Sequence, residues 1–197
     1  DDYVEVRHEA AEALVAIGTD DADALEALVA VVRNNMDDPR LRQIAARALS
    51  GTRDADALKG LAAAVEDKGR PGVRGHTDIL HVVRHGRAFL YEVQELGFAE
   101  ALRRDLHRAA SQVAFRCSAA EALARTDDAG ARQALAGVLQ DAEDDSRVRH
   151  AAAKALSGTD DAVALRALIG VLKDTRERAA PRRSAAAALA GTRDADA

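Results

Sequence analysis

A short pattern that recurs along the chain is the feature that most restricts its fold. An Ala-Leu pair occurs at five places with an Arg seven residues before its leucine, and these leucines are Leu14, Leu49, Leu123, Leu156 and Leu189. The intervals between successive leucines are 35, 74, 33 and 33 residues, so the long interval corresponds to two periods. Repetition at such a period is typical of proteins that stack one supersecondary unit on the next.

Residues 146–174 show what one unit contains. Apolar residues recur at helical spacing in each half, namely Val148, Ala151, Ala152, Ala155 and Leu156, then Ala164, Leu165, Leu168, Val171 and Leu172. Gly158 between them predicts a helix end, and Thr159 and Asp160 predict the cap of a second helix. Similar turns recur at 18–20, 51–53, 125–127 and 191–193. Each unit is therefore a helical hairpin, which buries its apolar stripes only by stacking on its neighbours.

The pattern D-x-R-[VL]-R-x-x-A-A-x-A-L, present at 38–49 and 145–156, resembles the short bacterial HEAT-like repeat of the phycobilisome-lyase type. The resemblance covers nearly the whole chain. It implies an all-α, right-handed α-solenoid of about six helical-hairpin repeats, with first helices on the convex face and second helices on the concave face. It also implies a binding scaffold, which is the commonest use of this family.

The repeats are predicted at about 4–34, 39–68, 73–111, 113–141, 147–174 and 180–197 in a single array, and the third is irregular. The third copy holds three of the five aromatic residues (Phe89, Tyr91 and Phe98) and four of the six histidines. We expect an extra turn or short helix around 88–96 and a second helix near 98–110. The sixth copy is truncated, because residues 191–197 repeat residues 51–57 without the helix that follows. We therefore expect a fragment of a longer protein.

Composition excludes several classes of function. The net charge is −5 and Trp is absent, which argues against a basic field for a phosphate backbone and against base-stacking platforms. The single cysteine, Cys117, excludes an internal disulfide and fits a reducing compartment, so we predict a cytoplasmic protein. No apolar run approaches the roughly 18 residues that a membrane helix needs.

A His-Glu pair is the first candidate for chemistry. The stretch 6–14, which contains His8-Glu9, is similar to the His-Glu motif of deoxyhypusine hydroxylase, a HEAT-like enzyme with a di-iron centre. That likeness implies several such pairs, since two metal ions need several nitrogen and carboxylate ligands. The equivalent positions here hold other residues, namely Gln43-Ile44, Cys117-Ser118, His150-Ala151 and Arg183-Ser184. We therefore predict a surface pair and no metal site.

Two further groups suggest chemistry less directly. His81 and His85 are four residues apart, which places both imidazoles on one helical face as a metal site requires. The adjacent Glu of an H-E-x-x-H motif is missing, so hydrolysis would lack its general base. Metal binding by this pair stays open, while no catalytic residue and no cofactor are predicted. Cys117 has no His or Asn arranged to activate it, which predicts a passive thiol.

A column of arginines recurs at the start of the first helices: Arg7, Arg42, Arg74, Arg116, Arg149 and Arg182. It could form an anion-binding stripe. Aspartates near Asp2, Asp38 and Asp145 can instead pair with these arginines across neighbouring copies. We predict a structural Arg–Asp ladder.

The outward positions of the second helices differ from copy to copy, whereas the core positions hardly change. One position reads Glu26, Lys59, Gln133 and Arg166; seven residues, or two turns, later come Arg33, Glu66, Gln140 and Lys173; the site between them reads Val29, Ala62, Ala136 and Ile169. A mosaic of charges around small apolar residues suits a protein surface better than a uniform basic ridge for nucleic acid.

The sequence thus predicts a non-catalytic protein-interaction scaffold or sensor module of a larger bacterial protein. Its partner would be another protein or another domain of the same parent protein, with neither nucleic acid nor membrane. The predicted partner-binding residues are Glu26, Val29, Arg33, Lys59, Glu66, Phe89, Tyr91, Phe98, Gln133, Arg166, Ile169 and Lys173. The alternative is a HEAT-repeat enzyme, either related to the di-iron hydroxylase or resembling a bilin lyase.

Overall fold

The computed structural model describes residues 2–34, 38–68, 98–124, 127–175, 177 and 179–193. These residues form α-helices and no strand. The helices are α1 (Asp2–Ile17), α2 (Ala22–Arg33), α3 (Pro39–Ala48), α4 (Ala55–Glu66), α5 (Phe98–Ala122), α6 (Ala129–Gln140), α7 (Ser146–Ala155), α8 (Ala162–Lys173) and α9 (Ala179–Arg193). In these ranges no helix combines the length and the apolar character that crossing a bilayer requires.

Every second helix begins at an aspartate that accepts a hydrogen bond from the amide three residues later, at 2.7–3.0 Å; these aspartates are Asp21, Asp54, Asp128 and Asp161. Such a cap satisfies one of the amides that a helix start leaves without a partner. The cap of α8 is therefore Asp161, one residue beyond the predicted Thr159 and Asp160. The predicted turns at Gly18, Gly51 and Gly158 are confirmed, because all three glycines have positive φ angles.

The helices pair into hairpins, and the hairpins stack. First helices follow one another as α1, α3, α5, α7 and α9, and second helices as α2, α4, α6 and α8. The core between the two rows is built of Ala, Leu and Val, with Phe115 the one aromatic among the described core residues. Equivalent second-helix leucines are almost wholly buried: Leu28, Leu61, Leu135 and Leu168. The predicted all-α solenoid of helical hairpins is confirmed.

The predicted third copy does not separate copies two and four. Helix α5 packs directly on α3, and α6 packs directly on α4, so the hairpins on either side of this copy are neighbours. Residues 68–112, which we call the inserted segment, therefore lie in sequence between two hairpins that are already in contact. The interval of 74 residues reflects an insertion into the array and not an additional layer between copies two and four.

The inserted segment returns through a helix longer than predicted. A helix near 98–110 and a separate one starting at Val113 were expected, whereas α5 runs unbroken through 25 residues. No Gly or Pro lies within it, and the Ser111 hydroxyl donates to the carbonyl of His107 within the helix, at 3.0 Å. The short helix expected around 88–96 lies outside the described residues.

The turn predicted at 191–193 is wrong. Helix α9 continues through Gly191 to Arg193, and Gly191 does not have a positive φ angle. Glycine within a helix costs only about 1 kcal/mol relative to alanine, so the motif alone does not force a turn. The earlier Gly-Thr turns are each followed by a capped second helix that packs on the stack, which is what holds the glycine in the left-handed region.

Candidate protein-interaction surface

Two outward positions on each second helix form a continuous surface, which we call the second-helix ridge: Glu26, Arg33, Lys59, Glu66, Gln133, Gln140, Arg166 and Lys173. All eight residues are exposed. The aspartate caps start each second helix at the same point relative to its buried leucine, and the same positions therefore face solvent in every copy. The structure thus places the predicted charged and polar residues on one surface.

The site between these positions is less uniform than predicted. Val29 is only 7% exposed and belongs to the core, so its assignment to an exposed interaction surface is wrong. The reason is the neighbouring helix, because a Cβ built at Gly60 of α4 would lie 3.9 Å from Val29 Cγ1. Ala136 is also buried and Ala62 is half-buried. Ile169 is 38% exposed and lies on α8, the last second helix of the described chain.

A carboxylate joins the ridge residues of α2 and α4. Arg33 Nη2 donates to the carbonyl of Asp56 at 2.9 Å and lies 3.6 Å from its carboxylate. Lys59 Nζ is 3.7 Å from the same carboxylate. Both cations are therefore held beside an acidic group, which lowers the positive potential at this end of the ridge.

Two small clefts lie where neighbouring second helices end. One measures about 200 Å³ and is lined by Val32, Arg33, Arg42, Gly60, Ala63, Ala64 and Asp67. The other, one copy further on, measures about 210 Å³ and is lined by Glu66, Lys68, Gly137, Val138, Asp141 and Asp144. Glycine and alanine at the lining positions leave this space open. Each cleft can receive a single side chain of a partner, and each combines acidic and basic groups at its edge.

The arginine column is structural, as predicted. Four of its members donate from Nε to the last-turn carbonyl of the preceding second helix: Arg42 to Val32, Arg116 to Val65, Arg149 to Leu139 and Arg182 to Leu172, at 2.7–3.2 Å. Arg42, Arg116 and Arg149 are almost wholly buried. Each of these bonds satisfies a carbonyl that a helix end leaves open. Arg7 is also engaged, and Arg74 lies outside the described residues.

The carboxylates of this arginine ladder are not the predicted ones. Arg42 pairs with Asp67 at 3.0 Å, Arg116 pairs through two bonds of 2.6 Å with Asp144, and Arg149 pairs with Glu177. Asp38 and Asp145, which were the expected partners, instead cap the first helices α3 and α7. The partners lie in the loop after the second helix of the same hairpin, so each ion pair ties the start of a hairpin to its own end. The link to the preceding hairpin is made by the bond from Nε to the carbonyl.

The inserted segment is anchored at both ends. At its start, Lys68 pairs with Asp141 of the following hairpin. At its end, Gln112 Nε2 donates to the carbonyl of Asp67 at 2.9 Å. A further contact joins Arg40 Nη2 to His107 Nε2 at 2.7 Å. The chain therefore leaves and rejoins the array at the junction between copies two and four.

Cys117 lies on α5 near Asp145 and Arg147, at the start of α7, and therefore at the junction of copies four and five. Burial, together with the nearby charges of Asp145 and Glu121, raises the pKa of its thiol to about 11, against the opposing effect of Arg147 and Arg116. A thiol with such a pKa is protonated at neutral pH and is a weak nucleophile. This supports the prediction of a passive thiol. Burial alone would also raise the pKa of Asp145, but its hydrogen bonds with Arg147 outweigh burial and hold the pKa below its usual value.

The positions equivalent to His8-Glu9 contribute to the stacking of the first helices. Gln43 Nε2 donates to Ser118 Oγ at 3.2 Å, and His150 Nδ1 lies 2.5 Å from Ser184 Oγ. Within the described ranges no three His, Cys, Asp or Glu side chains are grouped as metal ligands. The side chain of His8 and both His81 and His85 lie outside what the structure describes, and so do Phe89 and Tyr91. Phe98 opens α5, but its side chain is not described either.

Sequence reasoning missed two features of this region. The arginine–carbonyl bonds hold neighbouring hairpins together, and their signal was the arginine seven residues before each anchor leucine. The direct contact of copies two and four was hidden, because an interval of 74 residues equals two periods. Both features depend on contacts between copies, which periodicity within one copy does not reveal.

Comparison with known proteins agrees with the fold. A family model described as HEAT repeats matches residues 1–78 and 99–196, and the gap between the two matches falls inside the inserted segment. No match was found among curated proteins or solved structures. HEAT repeats generally serve as scaffolds for protein interactions and are typically non-catalytic. With stacked hairpins, a recurring arginine ladder and a family match over most of its length, this chain belongs to the HEAT-repeat family.

Proposed function

We propose that the protein is a non-catalytic interaction scaffold that binds another protein, or another domain of its own parent protein, through the second-helix ridge. Aromatic residues of the inserted segment (Phe89, Tyr91 and Phe98) would extend this surface. On this proposal the ridge is the concave face of the solenoid. The chain would be one module of a larger bacterial, cytoplasmic protein.

One observation carries the proposal. The buried positions of the second helices recur almost unchanged, whereas the exposed ridge positions differ in charge and size in every copy. Stacking alone requires the buried positions and places little demand on the ridge. A varied ridge on a repeated core is what a surface fitted to one particular partner would show, because specificity resides in the pattern of charges and small apolar contacts.

The test compares two charge reversals on opposite faces. The ridge variant combines Lys59→Glu with Arg166→Glu. The control combines Arg47→Glu with Lys154→Glu, which are equivalent exposed positions on the first helices α3 and α7. Both variants change the net charge equally, and neither touches the arginine ladder. Partners are captured from a lysate of the source cell by the wild-type chain and by each variant, and are identified by mass spectrometry.

We expect at least one protein that the wild type and the control capture and the ridge variant loses. Circular dichroism should give the same helix content for all three chains, which separates a lost contact from a lost fold. If the control loses the partner and the ridge variant keeps it, the first-helix face binds and the proposal is wrong. A coloured adduct or a stoichiometric metal ion on the purified chain would instead favour the enzymatic alternative.

A further inference from the structure

The charge on the outer face of the second helices changes sign along the array. Three exposed positions are equivalent in the four second helices. They are occupied by Asp23, Glu26 and Arg33 on α2; Asp56, Lys59 and Glu66 on α4; Gly130, Gln133 and Gln140 on α6; and Val163, Arg166 and Lys173 on α8. Helices α2 and α4 thus each carry an excess of acidic charge, α6 carries none, and α8 carries only cations. A partner therefore meets an acidic surface at one end and a basic one at the other.

The basic end also has an apolar contact point. Val163 is 44% exposed and stands three residues before Arg166, on the same side of α8. Gly170 and Lys173 continue that side, and a Cβ built at Gly170 would meet nothing within 4 Å. The equivalent positions on the other second helices are exposed as well, although another second helix follows each of them. These positions are therefore exposed in all four second helices, and their exposure on α8 does not arise because α8 is the last of them.

The acidic groups beside this face are already in use. Asp161 accepts hydrogen bonds from the amides of Val163 and Ala164 and lies 3.5 Å from Arg132. Asp174, at the end of α8, is also engaged, and Glu177 is paired with Arg149. Arg166 donates from Nε to the carbonyl of Ala162 at 3.0 Å, which holds the first part of its guanidinium against the helix. Asp161 also interacts electrostatically with Arg166, and the exposed Asp160 precedes Asp161. The carboxylates thus lie at the two ends of α8, whereas the outer side between them carries Arg166 and Lys173.

We infer that the face formed by Val163, Arg166, Gly170 and Lys173 docks an acidic segment of a partner protein that carries an apolar residue. The inference rests on the proposed function and specifies its partner. Carboxylates would pair with the two cations, while the apolar residue would lie on Val163 and over the open position at Gly170. The acidic outer faces of α2 and α4 would repel the same segment, which confines it to the α8 end.

A nucleic acid fits this face less well. A phosphate backbone demands a line of cations, whereas the described part of this face has two cations beside an exposed valine, in a chain of net charge −5. An acidic protein segment needs few cations and gains from the apolar contact. The charge pattern would then decide which part of the ridge a partner occupies, since complementarity between charged surfaces governs orientation more than affinity.

The experiment uses defined probes and needs no natural partner. The probes are a fluorescent peptide in which glutamates flank a single leucine, the same peptide with lysines, and a fluorescent oligothymidylate. Binding to the whole chain is followed by fluorescence anisotropy at low salt. The variants are Arg166→Glu with Lys173→Glu, Val163→Ser, and the first-helix control Arg47→Glu with Lys154→Glu.

The glutamate peptide should bind, and the double reversal on α8 should weaken it roughly tenfold, as the loss of two exposed ion pairs implies. Val163→Ser should weaken it by a smaller factor, and the control should leave it unchanged. Equal binding of the lysine peptide, or no effect of the α8 reversal, would overturn the inference. Preferential binding of the oligothymidylate would overturn it in favour of nucleic acid. If the ridge-dependent partner of the capture experiment is found but the glutamate peptide fails to bind, only this inference is contradicted.

Discussion

Two junctions of the array make the same contacts through very different connections. Where α5 and α6 meet α7 and α8, Arg149 reaches the carbonyl of Leu139, ten residues before it, at 3.0 Å. Where α3 and α4 meet α5 and α6, Arg116 reaches the carbonyl of Val65, 51 residues before it, at 2.7 Å. The stack is therefore specified by complementary surfaces on each hairpin, and adjacency in the chain is not required.

The ion pair of copy two is less buried than those of copies four and five. Asp144, which pairs with Arg116, has a side chain only 3% exposed, and Glu177, which pairs with Arg149, is similarly buried. Arg42 instead pairs with Asp67, whose side chain is 27% exposed. The position of copy two equivalent to Asp144 is Arg70, in the inserted segment. In copy two the arginine therefore pairs with Asp67, the C-cap residue of α4, whose side chain is more exposed to solvent.

The largest expected effect follows from that difference. Asp144→Ala leaves the buried guanidinium of Arg116 with the Val65 carbonyl alone, and should destabilise the protein by about 3–5 kcal/mol. Asp67→Ala removes a hydrogen-bonded partner that water can partly replace, and should cost less, about 1.5–3 kcal/mol. Urea unfolding followed by circular dichroism measures both. The fully exposed Asp127 provides a control, for which the change to Ala should stay within about 0.5 kcal/mol. Equal losses for Asp144 and Asp67 would show that burial does not distinguish the two ion pairs.

Two Gly-Thr sequences should respond differently to the same substitution. Gly158 has a φ of 76°, so Gly158→Ala should cost about 1–2 kcal/mol. Gly191 is helical, so Gly191→Ala should be neutral or stabilising by up to about 1 kcal/mol. Its new methyl group would lie 2.8 Å from Ser157 Oγ, a side-chain end that can rotate away. Thermal unfolding of both variants checks the signs. If Gly191→Ala destabilises as much as Gly158→Ala, the turn predicted from the sequence exists in solution.

Cys117 should report whether the junction between α5 and α7, which joins copies four and five, is closed. Its pKa of about 11, against an ordinary 9.0, predicts about a hundredfold slower alkylation in the native chain than in the unfolded chain at any pH below 9.0. Because the folded pKa is the higher one, the associated stability is fully present below pH 9.0. It is lost as the pH rises towards 11. Cys117→Ala should remove this part of the pH dependence. Alkylation of the native chain at the unfolded rate would mean that the junction opens readily.

How much the sequence could predict depends on the range of the contacts involved. The hairpins and the turns at Gly18, Gly51 and Gly158 follow from local patterns, because caps and apolar stripes act within one unit. The structural role of the arginines was also predicted. Their carboxylate partners were not, since Asp38 and Asp145 are close in sequence but cap their own helices, while Asp67, Asp144 and Glu177 are brought in by the following loops.

The same limit applies to the candidate site. The charged ridge positions are exposed as predicted, because each is set by the helix phase alone. Val29 was misplaced, because its burial comes from the next second helix and not from its own. The contact between copies two and four was missed for the same reason. An insertion of about one period cannot be told from an additional copy until the neighbours of each helix are known.

Replacement of the inserted segment should have the smallest effect, and it tests most directly whether two hairpins need a particular connection in order to stack. Residues 68–112 are replaced by the regular loop Ala142-Glu143-Asp144-Asp145, which restores the spacing of the other junction and supplies Arg42 with the equivalent of Asp144. Among the described contacts, the exchange loses the exposed ones of Lys68 and His107 and the half-buried one of Gln112, each of which contributes about 1 kcal/mol. Shortening the connection from 45 residues to 4 regains roughly 2 kcal/mol of loop-closure entropy. The two contributions nearly cancel, so the shortened chain should unfold cooperatively, with a free energy within about 2 kcal/mol of the parent. A chain that loses cooperativity would show that the inserted segment holds copies two and four together, and that their surfaces alone do not.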